Sequence, residues 1–362
     1  FLSKSFSYLI RIAFHLFDNT ILDQNVFLMF YLGMNIIDWS AFVFAIILQF
    51  FLFSRGHHFN KLFINFSAMI VYFGLSLFLI IVISENYNDV SQLFKDLLIF
   101  ENFFSKKNII PTITIAGTIF AYFSIVIVNF GDFSRYVKNE KELNLGNLSL
   151  ILNLIIFSLF SVLIVIGVDI ILNKNLEDMD RILTNPTDII GKFDNIFLSI
   201  IVLFFILFAS ASTNLIANYV PSQNTLINFF PKKLTLKSSG IIIIIIGFLI
   251  GIYWVPMLSQ IGILSFVDTV GSFFGPIFGI AIVDYYLIKK GKLVNKDIFS
   301  SISNSTYYYS GGWHIKAIYS LFIGFIFSVS TIWNADLRFL QSFSWLIGAL
   351  MSSITYYLLA NR

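Results

Sequence analysis

The 362 residues are 57% hydrophobic and 12% charged, with a formal net charge of +3 and a mean hydropathy of +0.85. A soluble domain carries about 25% charged residues, so this chain is too apolar to clothe a water-facing surface. The lack of cysteine excludes disulfides, thiol catalysis and cysteine-held metals.

In chain order, apolar runs fall at 1–17, 36–54, 62–84, 111–131, 148–173, 195–220, 239–255, 261–288, 314–333 and 339–360. A helix needs about 20 apolar residues to cross a bilayer, so ten helical segments are expected, the first cut short. A barrel strand alternates apolar and polar residues over about ten positions, whereas Ile241 to Ile246 is an unbroken run. Helices also satisfy their own backbone groups in lipid. The chain opens on Phe1 without the basic stretch and small-residue cleavage site of a signal peptide. An N-terminal truncation is therefore expected. The 44 phenylalanines read as compositional bias, so no single one is taken as a functional signal.

If the helices alternate in direction, the loops sort into two sets. One carries 13 basic residues, from Arg55 through Lys289, Lys290, Lys292 and Lys296 to Arg362, against Glu140, Glu142 and Asp297. The other carries seven basic residues and twelve acids, mostly in 85–110 and in 174–194, which Asn185-Pro186 breaks. The positive-inside rule places the first set in the cytoplasm. A multi-pass protein of the cell membrane is expected, with the lipid bilayer as a partner and no nucleic-acid face.

Polar groups inside a membrane are costly and so are functional candidates. The densest set lies in 195–220, as Ser210, Ser212, Thr213, Asn214 and Asn218. Ala209, Ser212 and Thr213 share one helical face by i, i+3, i+4 spacing. Two hydroxyls and a freed Ala209 carbonyl there suit a hard monovalent cation. Asn214 and Asn218 form a second face, and their amides both donate and accept. That matches a planar ring with adjacent N–H and C=O groups. Small polar residues also serve simply as glue between helices. Tyr122 and Phe123 in 111–131 offer ring faces for stacking, or for packing against lipid. Asp132 and Arg135 stand i, i+3 and can pair as a structural pin. Gly271, Gly275 and Gly279 at four-residue spacing, with Pro276, suit close helix packing, static or moving. Asp268 sits two turns inside its helix, for proton coupling or for pairing with a cation; Lys4 is one such cation.

No Gly-rich phosphate loop with a following lysine is present, so no ATPase is encoded. His15, His57, His58 and His314 fall near helix ends or loops without metal-ligand spacing. No enzyme is expected.

The stretch Asn129-Phe130-Gly131-Asp132-Phe133-Ser134-Arg135-Tyr136 resembles a signature of the nucleobase–cation symporters. Ser212-Thr213-Asn214 with Ala217-Asn218 is similar to that family's serine-threonine-asparagine helix. Phe229-Phe230-Pro231-Lys232-Lys233 resembles its following loop, and Phe50 to Gly56 the loop after its fourth helix. Gly275-Pro276-x-x-Gly279 with Asp284-Tyr285-Tyr286 resembles its tenth helix. The resemblance implies an all-α membrane protein, a five-plus-five inverted-repeat fold with two extra C-terminal helices. Residues 1–362 would then form one transporter domain lacking the first two helices. Residues 1–84 would be the remainder of the first repeat, 111–288 the complete second repeat, and 314–360 the extra helices. Carried over by position, Ala209, Ser212 and Thr213 would hold sodium, and Asn218 the substrate. Phe123 stands where the family commonly has a stacking tryptophan.

The function so implied is cation-coupled import of a nucleobase or related heterocycle by alternating access. It needs no cofactor beyond sodium or a proton as coupling ion. An amino-acid or other small-molecule carrier of the same fold stays open. So does a non-transporting membrane protein or channel, although no repeated filter is present. Substrate, coupling ion and oligomeric state are not legible.

Overall fold

The computed structural model describes residues 2–18, 20–85, 87–88, 91–92, 95, 105, 107–173, 196–261, 263–298, 300 and 302–361. The expected outer loop 174–194 with its Asn185-Pro186 break, most of 85–110, and Arg362 lie outside these residues.

Among the described residues the chain is helical, with only two isolated bridges, Tyr31 with Met34 and Ser310 with Trp313. The helices are α1 (Leu2–Phe17), α2 (Ile36–Ser54), α3 (His57–Glu85), α4 (Ile109–Val128), α5 (Glu140–Asn173), α6 (Ile196–Thr213), α7 (Val220–Phe229), α8 (Leu236–Ile261), α9 (Ile263–Ile282), α10 (Ile315–Trp333) and α11 (Ser344–Ala360). Among the described residues, nine spans are long and apolar enough to cross a membrane. The first apolar run, α1, has 16 residues. The last run does not start at 339 as one helix. A 3₁₀ stretch, Ala335–Phe343, precedes α11, and its polar Asp336, Arg338, Gln341 and Ser342 explain the break from the apolar span. Asn334 caps it, accepting the Asp336 N–H at 3.0 Å.

Two compact units emerge, Phe1–Ile99 with Ser134–Pro256, and Phe100–Phe133 with Met257–Arg362. In the first, α6 packs on α3 and α1, and α3 on α5. Phe78, Val82, Ile164, Val168, Val202 and Leu203 form its larger core cluster. The N-terminus of α2 is fixed by a capping box: Asn35 accepts the Asp38 N–H at 2.9 Å and Asp38 accepts the Asn35 N–H. Each such group satisfies a backbone donor that the helix start leaves open. Asp38 also accepts from Ser7 at 2.5 Å and meets Arg11 at 3.4 Å, tying α1 to α2.

In the second unit, α9 packs on α11, α4 and α10. Its small-residue stripe is used. A Cβ on Gly275 would come 2.5 Å from the Trp345 carbonyl oxygen, and one on Gly279 would overlap the Ala349 carbonyl. Only glycine permits that approach. Pro276 is fully buried between these helices, and its carbonyl accepts the Ser352 hydroxyl at 3.0 Å.

Candidate functional site

The polar segment of the first unit departs from a plain helix. α6 ends at Thr213, a π-helical stretch runs Asn214–Tyr219, and α7 follows. The Val220 N–H bonds the Leu215 carbonyl, an i→i+5 spacing. Pro221 supplies the cause. It has no N–H for the Ala217 carbonyl and its ring crowds that oxygen, so the turn widens by a residue.

On the near side of this wide turn, Ser212 is buried, and its hydroxyl donates to the Phe208 carbonyl at 2.8 Å and to that of Ala209 at 3.2 Å. The Ala209 carbonyl is thus not freed, as the sequence suggested; it already accepts a hydroxyl. The Ser212 proton is committed inward, which leaves the oxygen's lone pairs as ligand capacity. Thr213 is exposed and Ala209 half-buried. Inside the turn, Asn218 Nδ2 donates to Asn214 Oδ1 at 2.8 Å. The pair keeps the Asn218 carbonyl and the Asn214 amino group for a ligand. Ala209, Ser212, Thr213, Asn214 and Asn218 thus lie together on one short segment.

Tyr122 and Phe123 belong to the second unit, on α4. Their rings meet edge to face at 5.2 Å. The buried face of that helix carries Ala121 and Ser124 instead, which leaves Tyr122 64% exposed and Phe123 36% exposed. Both rings are accessible for stacking. Asn129 closes α4, its N–H bonding the Ile125 carbonyl, and its own carbonyl accepts the Asp132 N–H at 2.9 Å. Asp132 sits in the first turn of the short helix Phe130–Ser134, where a negative charge is favoured. Arg135 lies over the Tyr136 ring at 5.9 Å.

Asp268 is buried, 5% exposed, and its carboxylate accepts from Gln341 Nε2 at 2.8 Å. The donor is an amide of the 3₁₀ stretch.

A cluster that sequence reasoning missed lies where α9 ends in a second π stretch, Val283–Ile288. Asp284 accepts from Tyr356 at 2.7 Å and pairs with Lys289 at 2.5 Å. His314 Nε2 lies 2.9 Å from the Tyr356 hydroxyl, with Tyr309 stacked on its ring at 3.9 Å. Burial works against the charge of Lys289, but the Asp284 bond and charge outweigh it and raise its pKa. Burial lowers the His314 pKa below its ordinary value. The Asp284 to Lys289 spacing was the available signal; Tyr356, 72 residues away, was not visible from it.

Among the described residues no group of three or more His, Asp or Glu gathers.

A family model described as permease for cytosine/purines, uracil, thiamine and allantoin matches residues 24–357. The purine-uracil permease NCS1 of Arabidopsis thaliana is 27% identical over 57% of this chain and 33% of its own length. The allantoin permease of Bacillus subtilis is 25% identical over 67% and 47%, and a putative allantoin permease of Escherichia coli 26% over 69% and 50%. The chain therefore spans between a third and a half of these relatives. Mhp1, solved as a nucleobase-cation-symport-1 family transporter in a closed conformation with bromovinylhydantoin bound, aligns at TM-score 0.65 and 17% identity. That alignment covers 100% of this chain and 73% of Mhp1. The likeness shows the fold: the all-helical architecture is that of Mhp1.

Proposed function

Because the chain belongs to the family of permeases for cytosine/purines, uracil, thiamine and allantoin, we propose that the whole protein imports a nucleobase-like heterocycle across the cell membrane, coupled to a cation. The carrying observation is the wide turn. An otherwise apolar span concentrates Ser212, Thr213, Asn214 and Asn218 where its backbone leaves α-helical pitch, and such turns recur at functional sites. In this reading Ala209, Ser212 and Thr213 offer oxygens to sodium, which hydroxyls and carbonyls suit better than a proton. Asn218, oriented by Asn214, hydrogen-bonds the ring, and Phe123 and Tyr122, within their own unit, offer exposed ring faces of the kind that stack on a planar substrate. The remainder of the first repeat would be 1–84 and the second repeat 111–288, with 314–360 as additional helices, and transport would proceed by alternating access. Permeases for purines and uracil, for allantoin and for hydantoin among the relatives support a planar substrate with adjacent N–H and C=O groups. No enzymatic chemistry enters this reading.

The test is uptake of labelled cytosine, uracil, allantoin and hydantoin by the full-length protein, with and without a sodium gradient. Saturable, sodium-stimulated uptake of one of them is the expected result. Uptake of none would overturn the substrate class, and uptake indifferent to sodium would overturn the coupling ion.

A further inference from the structure

The wide turn is held at both ends by side chains that donate to backbone carbonyls. Downstream, the Tyr219 hydroxyl donates to the Gly240 carbonyl at 2.6 Å, and Gln223 Nε2 to that of Leu236 at 2.6 Å. The Tyr219 ring also lies against Phe53 at 4.3 Å. Gln49 on α2 donates from Nε2 to the Ala211 carbonyl at 3.2 Å, both residues being buried. The residue it bonds belongs to the core cluster of Leu52, Ala211, Leu215 and Tyr219, with Leu48, Phe53 and Ile243 against it. Gln49 Oε1 is buried without a hydrogen-bond partner.

That combination is unfavourable for stability alone. An unpaired acceptor in an apolar cluster costs free energy that an isosteric apolar side chain would avoid. A packing role would be served better by methionine or leucine. What only the amide supplies is a directed bond to Ala211, the residue between Ala209 and the Ser212–Thr213 pair. We propose that Gln49 is a positioning residue for cation binding. Its bond fixes the azimuth of the turn carrying the Ala209 carbonyl and the Ser212 and Thr213 hydroxyls, just before the helix widens. It touches neither cation nor substrate, and it acts through the Ala211 carbonyl. The inference rests on the proposed reading of that turn as cation-holding.

Gln49→Met keeps length and volume and removes both the donor and the unpaired acceptor; Gln49→Leu is the second variant. In the full-length protein the thermal midpoint is expected to stay level or rise. The half-saturating sodium concentration is expected to rise at least ten-fold, with the substrate KM at saturating sodium within two-fold of the original. A fallen midpoint with an unchanged sodium constant would mark the bond as merely structural and overturn the assignment. A second readout needs no transport. The 362 residues hold no cysteine, so within them Thr213→Cys is the sole thiol, and its maleimide labelling rate, read on the peptide that carries residue 213, reports on the turn. Adding Gln49→Met is expected to change that rate at least five-fold. An unchanged rate overturns the inference even where a heterocycle is taken up; a changed rate without any uptake overturns only the transport reading.

Discussion

The wide turn between α6 and α7 and the glycine-lined contact between α9 and α11 are both membrane segments rich in small residues, yet they use them in opposite ways. At Gly275 and Gly279 the neighbouring backbone stands where a side chain would be, and the buried hydroxyl of Ser352 is spent on the Pro276 carbonyl. Along 209–218 the polar atoms are only half spent. Ser212 donates inward but keeps lone pairs, the asparagines use one bond of several, and Thr213 and Asn218 stay exposed. Close packing consumes small residues for their lack of volume, whereas a binding segment retains them for unused hydrogen-bonding capacity. Residue type alone does not distinguish the two.

The comparison breaks most sharply by exchange of volume. Gly279→Leu drives four carbons into the Ala349 backbone, costing on the order of 3 kcal/mol or more. It is expected to remove folded protein from the membrane fraction, and with it all uptake; normal yield and thermal midpoint would contradict the packed reading. Next in size, Asn218→Ala is expected to abolish measurable uptake while membrane levels and thermal midpoint stay unchanged. Retained uptake would take Asn218 out of the site.

Much of this contrast was legible beforehand, and its limits have physical causes. The apolar run 36–54 coincides with α2 as built, because lipid-length hydrophobicity is read directly from composition. The glycine spacing predicted close approach, which the structure shows. The widening at 214–219 was not read, since hydrophobic periodicity does not separate a 3.6-residue turn from a slightly wider one; Pro221 was the one local clue. The freed Ala209 carbonyl failed because a serine three residues on bonds back to its own helix. Asp284 with Tyr356, and Asp268 with Gln341, are pairings over 72 and 73 residues, set by tertiary packing that no short window contains. Asp38, counted within an apolar run, proved to be a capping and bridging carboxylate.

Two smaller effects sharpen the same division. Thr213→Val keeps shape and loses a hydroxyl; the half-saturating sodium concentration is expected to rise about ten-fold, equivalent to about 1.4 kcal/mol, with stability untouched. An unchanged sodium constant would remove Thr213 from the cation site. The smallest effect concerns pH at the far end of α9. The His314 pKa lies below its ordinary 6.5 in the fold. As pH falls through 6.5 the unfolded chain therefore takes up a proton that the folded chain refuses, and stability declines until the folded pKa is reached. His314→Gln is expected to flatten that acid limb in thermal unfolding between pH 7 and 5. An equally steep limb in the variant would show that other groups set it. Lys289, its pKa raised by Asp284, works at the other extreme: its contribution is present below 10.5 and fades as pH climbs through the folded value.

A helix with one residue too many in a turn is what a single-codon insertion leaves behind. Excising one residue, such as Ile216, would let 214–219 fall back to ordinary pitch. Because the wide turn absorbs that residue locally, α7 would keep its orientation relative to α6, whereas the same excision from a plain α-helical turn would rotate it by about 100°. Tyr219 and Gln223 would still reach the carbonyls that now receive them, so the surplus residue serves the shape of the turn itself and not the register by which α7 meets α8.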